Sequence, residues 1–384
     1  RTQRESRLMM EGVMSTLVTY PYTIGLLAFL SFITSPLALP HLLFIIFVKL
    51  PICLLRSFAR RLLPFAFRKD VSADVVYITG AASGIGKIMA QEFMTLGSTV
   101  VMIDKNEAAL AQAKQELLGA ATMASNKVYA FPADLSDREA TYAVMRRAAS
   151  SAGDCTILIN NAGIVTGKKL LESPDDLIDL SFKVNAQCHF WTVKAVLPAM
   201  LEADHGHIVT IASSAGLLGV PGLADYCASK FAAVGFDESV RLELRKLGKL
   251  GVKTTVVCPL FIDTGMFNGA KAKYPRFAPL LKPDYAAHKI VNAVLVNQEM
   301  LLMPACANLT QLLKGLLPTE IAVDLADFFG VLDTMDDFRG RAAAKAKPPE
   351  MASMQQRPRT SQGHAFPVGA GDSPMAVAGQ KKTK

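Results

Sequence analysis

From residue 75 to residue 303 the chain repeats one alternation, a short apolar run followed by a longer amphipathic stretch. Residues 75–79, 99–103, 127–131, 156–160, 207–212, 252–258 and 300–303 read as strands. Helical patterns at 85–96, 107–118, 137–151 and 224–247 separate several of them. Short runs apolar on both sides, linked by helices, are what a parallel sheet covered on both faces requires. The expectation is an α/β fold, a doubly wound parallel sheet over residues 72–340. No repeat at solenoid or propeller spacing competes with it.

Mean hydropathy is high for such a domain, +0.28 over 384 residues, and the excess sits near the N-terminus. Residues 12–48 are 37 consecutive positions without Asp, Glu, Lys or Arg. A signal peptide needs an apolar core of only ~7–15 residues. Residues 13–35 and 37–55, divided by Pro36 and Pro40, each approach the ~20 needed to cross a bilayer. A membrane anchor over 13–55 is expected, as a helical hairpin, a single span or a monotopic insertion. Arg1 opens the chain, and Met9, Met10 and Met14 are candidate starts.

The formal charge of +8 is peripheral. A short flank, residues 1–12, is weakly basic. Residues 49–70 carry six Lys or Arg against Asp70, and residues 341–384 carry eight against Glu350 and Asp372. The middle of the chain is therefore acidic, which argues against nucleic-acid binding. Basic residues after the apolar stretch, with 56–71 as linker, place the main domain on the cytosolic side by the positive-inside rule. Residues from 341 onward lose aromatic content and periodicity and are expected to be disordered. Six cysteines lack metal-ligand spacing and read as buried free thiols. Asp204-His205-Gly206-His207 reads as a loop entering a strand, not a metal site. His189 and Trp191 read as packing residues.

The first strand runs into Thr79-Gly80-Ala81-Ala82-Ser83-Gly84-Ile85-Gly86. Glycines allow a tight turn and close backbone approach to a pyrophosphate, and the following helix offers free N–H groups. Asp104 ends the second strand, where a carboxylate accepts ribose hydroxyls and repels a 2′-phosphate. That favours NAD over NADP. Lys105 reads as a solvated lysine opening a turn. In Tyr226-Cys227-Ala228-Ser229-Lys230 the i, i+4 spacing sets Lys230 beside the Tyr226 phenol. An ammonium there lowers the phenol pKa from about 10 towards a usable base. Ser213 ends a strand, 13 residues before Tyr226.

Together these residues resemble the short-chain dehydrogenase/reductase family over about residues 72–330, and the resemblance implies a Rossmann fold. Thr79 to Gly86 is similar to the family's TGxxxGxG cofactor loop, and Asp134-Leu135 to the residues beside the adenine. Asn161, Ala162 and Gly163, after Asn160, resemble the NNAG motif flanking the cofactor. Asn185 matches the asparagine holding a water in the proton relay, completing a tetrad with Ser213, Tyr226 and Lys230. Pro259, Ile262 and Thr264 resemble the segment that holds the nicotinamide carboxamide. Leu260 departs from the Pro-Gly usual there.

The apolar N-terminus, Cys258-Pro259 and the stretch 328–336 are similar to membrane-anchored retinol and hydroxysteroid dehydrogenases. Residues 217–221 and 261–277 flank the expected site as core or as a lipophilic substrate wall. The resemblance implies reversible oxidation of a retinoid, steroid or long-chain alcohol with NAD at an endoplasmic reticulum or lipid-droplet surface, in a homodimer. An NADP-linked retinaldehyde reductase and a catalytically weak membrane interaction protein are the alternatives.

Overall fold

The computed structural model describes residues 38–120, 127–276, 278–305 and 307–340. The expected segment 13–35 and the tail 341–384 lie outside the described residues. Helix α1 (Ala38–Phe44), a π turn (Ile45–Lys49) and α2 (Leu50–Leu62) form one continuous apolar rod. Its stretch Ala38–Arg60 has a hydropathy of 2.2 and none of its apolar window buried, which makes it a candidate membrane anchor. Cys53 lies exposed on this rod, whereas Cys155, Cys188, Cys227 and Cys258 are buried thiols. The helix continues past residue 55 into the expected basic linker, because Arg56 and Arg60 are good helix formers and nothing breaks it before Pro64.

The chain docks on the body immediately afterwards. Arg68 donates twice to Asn292 Oδ1 (3.1 and 2.9 Å), and Lys69 N donates to Leu295 O (2.8 Å).

Seven strands form one sheet: β1 (Val75–Thr79), β2 (Thr99–Asp104), β3 (Val128–Pro132), β4 (Ile157–Asn160), β5 (Gly206–Ile211), β6 (Val252–Pro259) and β7 (Met300–Met303). Their order is β3-β2-β1-β4-β5-β6-β7 and every pairing is parallel. Side-chain alternation divides the apolar residues between two cores. Val76, Ile78, Val100 and Met102 pack on one face with Met89 and Phe93 of α3 (Gly84–Thr95), Leu110 of α4 (Glu107–Gly119) and Ile290 of α9 (Pro283–Leu295). Tyr77, Val101, Ile103 and Leu158 pack on the other, with α5 (Arg138–Ala152), α7 (Cys188–Ala203) and α8 (Ala224–Lys246). A doubly wound sheet follows directly from that period of two. Asn106 and Asp137 cap α4 and α5 by accepting from Ala109 N and Ala140 N.

Helices without a sequence-based expectation complete the chain: α6 (Asp175–Phe182), α9, α10 (Ala307–Leu316) and α11 (Thr319–Phe328). A π turn at Lys183–Gln187 joins α6 to α7. Strand order reverses between β1 and β4, so a crevice opens at their carboxyl ends, where ligands bind in such sheets.

Candidate active site

That crevice is a continuous cleft. It is lined by Gly80, Ser83, Gly84, Ile85, Asp104, Asp134, Leu135, Asn161, Ala162, Gly163, Ser213, Tyr226, Lys230, Pro259, Ile262 and Thr264, all expected from the sequence. Three expected residues build the cleft from behind instead. Thr79 Oγ1 donates to Ile159 O (3.3 Å) and accepts from Asn161 N (2.9 Å) and Ala162 N (3.0 Å), tying β1 to β4. Gly86 is buried so tightly that a methyl there would overlap Gly80 O and Asn161 Nδ2. Asn185 sits in the π turn, a distortion often placed at functional sites. Its amide bonds Ile164 N, Ile164 O and Ser229 Oγ (2.8, 2.9 and 3.0 Å).

Sequence reasoning missed Ile164, Val184, Ile211 and Ala212 as lining residues, whereas Met266 falls in the stretch 261–277 expected to flank the site. The missed residues are apolar neighbours of motif residues, and only the packing brings them to the surface of the cleft.

The cleft fits a nicotinamide dinucleotide on its own chemistry. Gly80 and Gly84 take left-handed backbone (φ +63° and +57°), and the N-cap Ser83 makes no capping bond from its side chain. The first amides of α3 thus remain available for a pyrophosphate. Asp104 accepts from Ala82 N (3.1 Å) and Asn106 N (3.0 Å), which fixes its carboxylate at the edge of the cleft. Burial pushes Asp134 up, but hydrogen bonds from Ser136 and the charge of Lys105 hold its carboxyl below the usual range. Lys105 is exposed at the bend after β2, as expected, and also borders the cleft.

Tyr226 is 4% exposed, on the first turn of α8, and Phe267 meets its ring edge-on at 5.6 Å. Burial pushes the phenol well above its ordinary value, and the Ser213 hydroxyl opposes that rise. Ser213 Oγ itself accepts from Ala215 N (3.1 Å) and donates to Pro259 O (3.4 Å). Lys230 Nζ lies 5.7 Å from the Tyr226 ring centre and donates to Ile211 O (2.8 Å). Its own pKa falls to about 8 through burial. The expected depression of the Tyr226 pKa by Lys230 is thus not what this arrangement gives, because removing the phenol from water outweighs its neighbours.

His189 is buried with neither ring nitrogen bonded, and its pKa falls to about 3 through burial, a neutral packing residue 6.1 Å from Phe236. His205 bonds Asp74 Oδ1 at 2.9 Å, and His207 lies between Lys69 and Thr255.

Residues 74–275 match the short chain dehydrogenase family. Epidermal retinol dehydrogenase 2 of Homo sapiens is 47% identical over 297 residues, 77% of this chain and 94% of that protein. Retinol dehydrogenase 10 of Homo sapiens is 40% identical over 297 residues, 70% of this chain and 86% of that protein. A short chain dehydrogenase/reductase from Burkholderia phymatum, solved in complex with NAD, superposes with a TM-score of 0.57 at 28% identity. It covers 65% of this chain and 96% of its own. A metagenomic short-chain oxidoreductase in complex with NADP superposes with a TM-score of 0.50 at 27% identity, over 61% of this chain and 97% of its own. Sheet, cleft and kinship agree: this chain belongs to the short-chain dehydrogenase family and is an NAD(P)-dependent oxidoreductase acting on CH–OH groups.

Proposed function

We propose that the chain interconverts a lipophilic alcohol, in the first instance a retinol, with its carbonyl, that it uses NAD, and that it works at a membrane surface. The observation that carries this reading is the environment of Tyr226, a buried phenol beside Ser213 whose other side faces an aromatic ring. Kinship to retinol dehydrogenases and the exposed apolar helix Ala38–Arg60 support the substrate class and the location. Asp104 supports NAD by its negative charge at the adenosine end. The endoplasmic reticulum or a lipid droplet, with the domain facing the cytosol, and a homodimer belong to the same reading.

Bound in the cleft, the dinucleotide supplies the hydride acceptor or donor. Ser213 orients the substrate oxygen, and Tyr226 exchanges a proton with it. At neutral pH the raised pKa keeps the phenol protonated, ready as the acid for carbonyl reduction. Alcohol oxidation requires the phenolate, which the Lys230 ammonium and the charge of an oxidised nicotinamide favour. Asn185 holds Ile164 against the cleft and lies beside Gly163 together with Lys230, along the route a departing proton takes.

The test is turnover of all-trans-retinol, estradiol and a long-chain alcohol by detergent-solubilised full chain, with NAD and NADP separately. NAD-dependent oxidation of retinol is expected, with a loss of about 1,000-fold in Tyr226→Phe at unchanged NAD binding. Undiminished turnover by Tyr226→Phe, or NAD binding without turnover of any alcohol, contradicts the reading.

A further inference from the structure

The chain returns to the apolar cluster that holds Tyr226. After α11 it passes Gly330 (φ +73°), and residues 331–340 then cross between the loops that follow β4 and β6. On the β6 side Lys271 N donates to Thr334 O (3.0 Å), and Arg339 N and Gly340 N donate to Asn268 O (2.8 and 3.2 Å). Lys271 also pairs with Asp337 at 2.6 Å. On the β4 side the Phe338 ring lies on Gly167, whose backbone is left-handed (φ +65°) and where a methyl would overlap the ring. That loop is itself anchored: Thr166 and Ser181 hydroxyls donate to the buried Asp225 Oδ2 (2.5 and 2.8 Å).

Two apolar side chains of the segment point inward. Met335 is buried with Leu223, Tyr226 and Cys227. Phe338 packs on the same cluster, its ring 6.5 Å from Phe267, which in turn meets Tyr226. Loops after β4, β5 and β6 and this returning segment thus enclose one apolar cluster that has the phenol at its inner end.

We infer that residues 331–340 are a wall of the substrate site, and that Met335 and Phe338 set how much apolar body beyond the carbinol carbon is accepted. The inference rests on the reading of the chain as an oxidoreductase of lipophilic alcohols. An alcohol short enough to reach only Ser213 and Tyr226 gains nothing from the two side chains. One with a long tail buries methylenes against them, and discrimination between the two appears in kcat/KM. Gly167 is a positioning residue, since it touches Phe338 and not the reacting atoms.

The probes are prenol, geraniol and farnesol, which share one allylic carbinol and differ in tail length. Full-length protein in lipid nanodiscs is assayed as wild type, Met335→Ala, Phe338→Ala, Phe338→Leu and Gly167→Ala. The ratio of kcat/KM for farnesol to that for prenol is expected to fall about tenfold in Met335→Ala, Phe338→Ala and Gly167→Ala, carried by KM, and to recover in Phe338→Leu. A ratio unchanged in Phe338→Ala and Met335→Ala overturns the inference.

Binding is read separately in a Tyr226→Phe background, as the rise in Tm that farnesol adds to NAD-saturated protein. The rise brought by NAD alone certifies the fold of each variant. Loss of the farnesol increment in the wall variants supports the inference even if no alcohol is turned over, an outcome that would refute only the proposed activity. Retention of the increment in all of them refutes the wall.

Discussion

Thr79 closes β1 with a bond set whose loss can be worked through atom by atom. Thr79→Val preserves shape and the methyl group but turns a second methyl towards the amides of Asn161 and Ala162. A buried donor left without an acceptor costs about 1–3 kcal/mol. Both residues are half-buried beside the cleft, where water replaces part of the lost bond, so about 1–1.5 kcal/mol per amide applies. The bond to Ile159 O is long at 3.3 Å and adds about 0.5 kcal/mol.

The total of about 3 kcal/mol corresponds to a fall in Tm of about 6–9 °C for a domain of this size. Thr79→Ser keeps the hydroxyl and loses one methyl, about 1 kcal/mol and a fall of about 2–3 °C. The chain has one tryptophan, Trp191 on α7, packed half-buried against the second core, so its fluorescence follows melting of the body itself. A Thr79→Val protein melting within 2 °C of wild type, or a Thr79→Ser protein falling as far as Thr79→Val, would refute the claim that the hydroxyl joins β1 to β4.

Asp104→Ala is expected to shift the NADP-to-NAD ratio of kcat/KM by at least about tenfold towards NADP, measured by reduced-cofactor absorbance, and no shift removes Asp104 as the selector. Gly86→Ala should melt several degrees lower and bind dinucleotide at least about tenfold more weakly by calorimetry, since the methyl would displace Gly80 O and Asn161 from beneath the cleft. Lys69, held against His207 Nδ1 at 3.1 Å, has its pKa lowered by burial to about 8 from 10.5. In that window the unfolded chain binds the extra proton, so the penalty of a buried ammonium is complete below pH 8 and fades as pH rises to 10.5. Chemical unfolding of wild type and Lys69→Met across that range should show wild type gaining about 2 kcal/mol relative to the variant, after allowance for partial exposure, and parallel profiles would contradict it.

The layers of the fold were legible because burial on both faces leaves short uninterrupted apolar runs, of which β1, β2 and β4 are clear cases. Boundaries slipped by a residue at β3 and β5, where Pro132 and Gly206 still pair with neighbouring strands. The cleft was legible where chemistry demands a residue type at fixed spacing: Gly80, Gly84, Asp104, Tyr226 and Lys230. What escaped was set by three-dimensional balance. Nothing in Tyr226-Cys227-Ala228-Ser229-Lys230 tells how dry the phenol is, and its dryness reverses the expected direction of its pKa. Thr79 was read as a cofactor contact, although its hydroxyl is spent on the neighbouring strand. Phe338 on Gly167 joins residues far apart in the chain, a meeting that no local pattern encodes.

The docking of Arg68 and Lys69 on α9 has a kinetic meaning. Only residues 63–67 separate the end of the apolar helix from the first bonds to the body, at most about 18 Å of extended chain. On the proposed reading, with that helix in a bilayer, the body would hover on a short leash and meet substrate in two dimensions rather than three. Its rate would then follow the mole fraction of alcohol dissolved in the lipid beneath it. Adding inert lipid at constant total alcohol would slow turnover, although no bulk concentration had changed, and a KM written in micromolar would describe the vesicle preparation as much as the enzyme.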